Sequence, residues 1–101
     1  MDWKLVTSCN KVTPDSPFAY TEGDKKIALY KVDESYYATD NVCPHAYALM
    51  TDGFVEGDQV ECPLHGAIFH IPTGKCLGPP ADSDLTTYPV KVVDDKIYIF
   101  I

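Results

Sequence analysis

The chain contains no arginine. Its 8 basic residues are all lysines, set against 15 Asp and Glu, and the formal charge is −7. Phosphate backbones are gripped by clustered Lys and Arg, so this composition argues against nucleic acid as a partner. No apolar run approaches the length of a bilayer span, and no membrane is expected. The opening Met1–Ser8 has neither a basic n-region nor an apolar h-region. The expected compartment is therefore the cytoplasm. No stretch sustains a 3.6-residue period, and there is no internal repeat or low-complexity tract. The acidic surplus serves solubility, or steers the molecule toward basic patches on protein partners.

What is present is a chain of 101 residues, 46% of them hydrophobic, enough for one domain with a modest core, 1–101. Short β-branched and aromatic runs alternate with turn signals, which predicts an all-β sandwich or small barrel. Trp3–Val6 reads as a first strand. Thr13–Pro17 is a loop, because its prolines cannot donate to a ladder. Phe18–Thr21 and Lys26–Val32 flank a hairpin turn at Glu22-Gly23-Asp24, and Asp33-Glu34 turns the chain into Ser35–Thr39. Phe54–Glu56 is a short strand bracketed by Asp52-Gly53 and Gly57-Asp58. Leu85–Val93 reads as a strand interrupted at Pro89, hence an edge or a bulge. Lys96–Ile101 is apolar on both faces and should be a central strand despite its terminal place.

Four cysteines could make two disulfides, but these are rare in the cytoplasm. Cys43 and Cys62 each lie beside a histidine: Cys43-Pro44-His45, sixteen residues, then Cys62-Pro63-Leu64-His65. Cys9 and Cys76 are read as small buried thiols, and His70 as a surface or hydrogen-bonded side chain. A Cys2His2 set suits structural zinc by composition. Its spacing does not. Zinc loops commonly place like ligands together, whereas each loop here supplies one thiolate and one imidazole. A two-iron cluster accounts for that mixture: each loop gives one thiolate to one iron and one imidazole to the other.

The motif, with its continuation Gly66-Ala67-Ile68-Phe69, Thr73-Gly74-Lys75 and Gly78-Pro79-Pro80-Ala81, resembles the Rieske-type 2Fe–2S proteins. It is most similar to the stand-alone Rieske ferredoxins of bacterial aromatic-ring hydroxylating dioxygenase systems. The resemblance implies a Rieske fold: an antiparallel base of residues 1–39 and 81–101, and a cluster-binding subdomain of two loops at about 40–80. It implies one 2Fe–2S cluster held by Cys43, His45, Cys62 and His65, and no catalytic residue. It also implies a soluble monomeric carrier of single electrons from a flavin-dependent NAD(P)H reductase to a terminal oxygenase, within aromatic hydrocarbon catabolism. Tyr47, Leu64, Pro79 and Pro80 would ring the histidine edges. Two other readings stand beside it: a structural zinc-binding interaction module, and a small Rieske subunit of another oxidoreductase. Relatives in respiratory complexes carry a loop disulfide at the places of Ala48 and Leu64, so no such staple can form here. Pro44 stands where many relatives offer a backbone N–H. High-potential relatives carry Ser and Tyr hydroxyls where this chain has Ala67 and Phe69.

Overall fold

A computed structural model describes residues 1–44, 47–64, 66–78 and 83–101. Three antiparallel sheets account for it. The first is built from β1 (Trp3–Ser8), β9 (Val90–Val93) and β10 (Lys96–Phe100), in the order β1-β10-β9. The second is built from β2 (Phe18–Glu22), β3 (Lys25–Val32), β4 (Ser35–Asp40) and β8 (Thr87–Tyr88), in the order β2-β3-β4-β8. The third is β5 (Phe54–Glu56), β6 (Gln59–Glu61) and β7 (Ile68–His70), in chain order. The expected all-β class holds. Among the described residues the helices are two single 3-10 turns, Cys9–Lys11 and Met50–Asp52, and no helix is long and apolar enough to cross a membrane.

Strand β3 is apolar from Ile27 to Tyr30 and again at Val32, and the pleat divides it. Ile27 and Leu29 point into one core, shared with Val12, Ala38, Ile97 and Ile99. Ala28, Tyr30 and Val32 point into the other, shared with Cys43, Met50, Val60, Cys62, Phe69 and Leu85. Successive side chains leave a strand on opposite faces, so one strand can wall off two cores. The Tyr30 hydroxyl is buried in the second core. It donates to Thr39 Oγ1 at 3.0 Å, whose own proton goes to the Asp40 carbonyl at 2.8 Å. Burial pushes the phenol's pKa well above its ordinary value. An unpaired hydroxyl there would cost about 1–3 kcal/mol.

The terminal strand is central, as its two apolar faces require: Ile97 and Ile99 are fully buried between β1 and β9. The chain ends are held by Asp2 N–H donating to the Ile101 carbonyl (2.7 Å) and Ile101 N–H to that of Asp2 (3.1 Å). The Asp94-Asp95 turn has φ of 51° and 63°, the double left-handed geometry of a tight hairpin that Asp tolerates.

The expected strand Leu85–Val93 is two strands in two sheets. Thr87 and Tyr88 pair with Thr39 and Ala38 on β4, whereas Val90–Val93 pairs with β10. Pro89 has no N–H to continue a ladder, and the chain crosses from one sheet to the other there. Its carbonyl accepts from Phe100 N–H at 3.0 Å. Cys9 and Cys76 are also only half-buried, not buried, and Cys9 sits in a 3-10 turn.

Gly74 is placed by close approach. Its φ is +75°, and an added Cβ would meet the Leu85 carbonyl oxygen at 2.2 Å. Gly23, in the β2–β3 turn, has φ +62° but open space around it. Gly74→Ala should therefore destabilise by about 2–4 kcal/mol, combining strain and a backbone clash. Gly23→Ala should cost only about 1–2 kcal/mol for the left-handed backbone. Denaturation midpoints followed by far-UV circular dichroism check the order, and equal losses would contradict it.

Candidate metal centre

The first cysteine loop leaves the end of β4 and is closed at its base. Val42 bridges Leu49, Cys43 N–H donates to the Ala48 carbonyl at 2.9 Å, and Met50 N–H to that of Asn41 at 2.6 Å. The Asn41 side chain completes the closure. Its Oδ1 accepts from Thr51 N–H at 2.9 Å, and its Nδ2 donates to Thr51 Oγ1 at 3.1 Å. Asn41 is 2% exposed, so these bonds form away from competing water. Beside it, Tyr88 donates its hydroxyl to the Asp40 carboxylate, tying β8 to the end of β4.

The second loop is the turn of the β6–β7 hairpin, in which Cys62 N–H donates to the Ala67 carbonyl at 2.7 Å. A third segment is anchored against it. Leu77 N–H donates to the Ile68 carbonyl and Leu85 N–H to that of Gly74, at 2.8 and 2.7 Å. Cys76 N–H donates to Asp84 Oδ1 at 2.8 Å, and the Cys76 thiol to the Gly78 carbonyl at 3.2 Å. The described residues on both sides of the proline stretch are thus held at fixed points.

Cys43 and Cys62 are 3% and 1% exposed, share one core with Tyr30, Met50, Val60, Ala67 and Phe69, and are not joined as a disulfide. Their thiols interact directly. Burial first, and then the neighbouring Cys43 and Glu61, push the Cys62 thiol's pKa up, while the Leu64 N–H pulls it down. Burial makes the Cys62 thiol costly to ionise alone, and a metal cation reverses that cost. Two soft sulfurs and a backbone N–H aimed at one of them suit an iron–sulfur group. His45 and His65 lie outside the described residues, as do Pro79, Pro80 and Ala81. Tyr47 and Leu64, also expected at the rim, are 79% and 45% exposed.

His70 is hydrogen-bonded as expected. Its Nδ1 meets Thr73 Oγ1 at 2.8 Å and its Nε2 meets Asp58 Oδ2 at 3.1 Å. Asn41, Thr51 and Asp84 were not singled out from the sequence. Each is a polar residue in a turn-rich stretch, and nothing in their spacing distinguishes a loop clasp from an ordinary turn residue.

A family model described as the Rieske [2Fe–2S] domain matches residues 2–89. The ferredoxin component of the naphthalene 1,2-dioxygenase/salicylate 5-hydroxylase systems of Ralstonia sp. is 49% identical over 75 residues, spanning 74% of this chain and 72% of that protein. The naphthalene 1,2-dioxygenase ferredoxin component of Pseudomonas aeruginosa is 47% identical over 97 residues, spanning 96% and 93%. Among solved structures, the Sphingomonas yanoikuyae B1 ferredoxin superposes with a TM-score of 0.93 at 33% identity over 97% of both chains. A chain from a complex of reduced oxygenase and oxidised ferredoxin in carbazole 1,9a-dioxygenase gives a TM-score of 0.91 at 30% identity, covering 96% of this chain and 91% of that one.

The Asn41 clasp generates a prediction. Asn41→Ala leaves the Thr51 N–H and hydroxyl without their partner and should destabilise by about 1–3 kcal/mol. Thr51→Ser keeps both groups and should be close to neutral. Chemical denaturation measures both, and an Asn41→Ala protein as stable as the parent would mean that water replaces the clasp.

Proposed function

The chain belongs to the Rieske [2Fe–2S] domain family, and from that premise we propose that it carries single electrons from a flavin-dependent NAD(P)H reductase to a terminal ring-hydroxylating oxygenase. It is a ferredoxin, an electron-transfer component and not a catalyst, as its curated relatives are. The observation that carries the reading is the pair of facing buried thiols, Cys43 and Cys62, presented by two closed loops. With His45 and His65 they would hold one cluster, in a cluster-binding subdomain of residues 40–80 carried on a base of 1–39 and 81–101. When bound, a 2Fe–2S group with two imidazole ligands takes up and releases one electron at a potential above that of all-cysteine clusters.

The chain's own residues supply the rest. Met50, Val60 and Phe69 keep water from the thiols. The Leu64 N–H favours sulfur in its charged form. Exposed Tyr47 and Leu64 offer an apolar rim for a small, transient contact. The protein works in the cytoplasm as a monomer between its two redox partners, without nucleic acid or membrane.

Each chain should carry two irons and two acid-labile sulfides, with a rhombic, low-average-g resonance after reduction. Replacing Cys43, His45, Cys62 or His65 by Ala should abolish the cluster, whereas Cys9→Ser and Cys76→Ser should keep the visible spectrum. One zinc per chain without sulfide would overturn the reading, and loss of colour in either Ser variant would mean that other thiols are ligands.

The potential is a second test. Ala67 and Phe69 are fully buried in the core that holds both cysteines, and neither brings a hydroxyl. Hydrogen bonds to charged acceptors contribute about 1.5–3 kcal/mol, and for one electron about 1.4 kcal/mol corresponds to roughly 59 mV. The missing pair should place the midpoint near the low end of the Rieske range, around −150 mV. Ala67→Ser and Phe69→Tyr should each raise it by some tens of millivolts, about 59 mV per 1.4 kcal/mol gained. Phe69→Tyr should also lose stability, because its core is filled. A parent midpoint clearly above zero by protein-film voltammetry would contradict the dioxygenase assignment.

A further inference from the structure

The outer face of the β5-β6-β7 sheet carries an aromatic ring, two carboxylates and a groove that the electron-transfer reading leaves unused. Alternation along the strands sends Val55, Val60 and Phe69 toward the core, and Phe54, Glu56, Gln59, Glu61 and Ile68 to the other face. Register places Phe54, Glu61 and Ile68 in one row across the sheet, and Glu56, Gln59 and His70 in the next, where the His70 ring is held by Asp58 and Thr73. Phe54, Glu56, Gln59, Glu61 and Ile68 line a groove of about 140 Å3. Phe54 is 67% exposed, an unusual cost for so large an apolar ring on a three-stranded sheet.

Glu56 and Glu61 are diagonal neighbours on that face, which sheet geometry sets about 7–8 Å apart. Among the described residues neither carboxylate has a cationic partner: the ion pairs are Lys4–Glu22 and His70–Asp58. Two like charges flanking an exposed ring, with Ile68 beside them, suit one occupant well. An arginine side chain can lay its apolar stem along Phe54 and Ile68, stack its planar head, and pair with carboxylates in its fork geometry. The place matters too. Glu61 immediately precedes Cys62, and its row is the last before the second cysteine loop.

We propose that this groove is a docking socket for an arginine on the basic surface of the terminal oxygenase, seated beside the second cysteine loop and apart from the Tyr47–Leu64 rim. The charge complementarity of a −7 chain supports a basic partner. The inference rests on the electron-carrier reading above and adds the chemistry by which the partner is held to one side of the loop.

The test uses the iron-loaded protein and the oxygenase of the naphthalene 1,2-dioxygenase system of Pseudomonas putida as the probe. The second-order rate at which the reduced protein is oxidised by that oxygenase is read by stopped-flow absorbance. At low ionic strength Glu56→Gln and Glu61→Gln should each slow it about threefold and the pair about tenfold, with the difference fading at about 0.5 M salt as screening removes it. Phe54→Ala should slow it about threefold at every salt concentration, because its contact is apolar. Glu34→Gln, at the far end of the β3–β4 hairpin, should change nothing. Midpoint potentials are measured alongside, since a rate that follows a shifted potential in Glu61→Gln would overturn the docking role. Variants as fast as the parent, or slowed only in their reduction by the reductase, would also overturn it. Failure of the unaltered protein to deliver electrons would instead count against the dioxygenase reading, and the socket would fall with it.

Discussion

The structure depends on a strand whose middle, Ile27–Tyr30, has no solvent face. Because β3 is covered on both sides, it is the common wall of two cores that otherwise share little, one closed by the terminal strands and one by the cysteine loops. Its alternation assigns small and large groups to each side: Ala28, Tyr30 and Val32 face the thiols, and Ile27 and Leu29 face Ile97 and Ile99. A slip of one residue would exchange the two sets and put the Tyr30 hydroxyl where Thr39 cannot reach it. Burying such aliphatic and aromatic side chains is worth about 1.5–3 kcal/mol each. That register is what aligns the end of β4, and hence Asn41 and Cys43, with the β6–β7 turn that carries Cys62.

Much of this was legible in the sequence because a strand's period is short and its punctuation is local. The hairpin turns at Gly23 and Asp33 were visible from residue type alone, and so was the central place of the terminal strand, from its two apolar faces. The family was legible for another reason: mixed Cys/His pairs at that spacing serve few other purposes, and the Rieske [2Fe–2S] domain model matches residues 2–89. What remained hidden was pairing between distant segments. Nothing near Pro89 says that Thr87-Tyr88 leave the β9–β10 hairpin to pair with β4, because their partners Thr39 and Ala38 lie about fifty residues earlier. The Asn41–Thr51 clasp and the Asp84 anchor were hidden too, since a buried amide and an exposed one look alike until burial is known.

The three loops around the thiols are held by different means. Hairpin ladder closes the second, a buried side-chain amide closes the first, and backbone anchors at Gly74 and Cys76 hold the third. Each fixes the base of a loop, as a site that must hold its side chains in place requires.

The pairing of β1 with β10 joins the first strand to the last, and this has a consequence for the order of assembly. β1 cannot join that sheet until β10 has left the ribosome, because their pairing runs from Trp3 to Phe100. The hairpins β2-β3-β4 and β5-β6-β7 need only neighbours in sequence. The β5-β6-β7 sheet, whose last turn carries Cys62, can therefore pair before β1 meets β10.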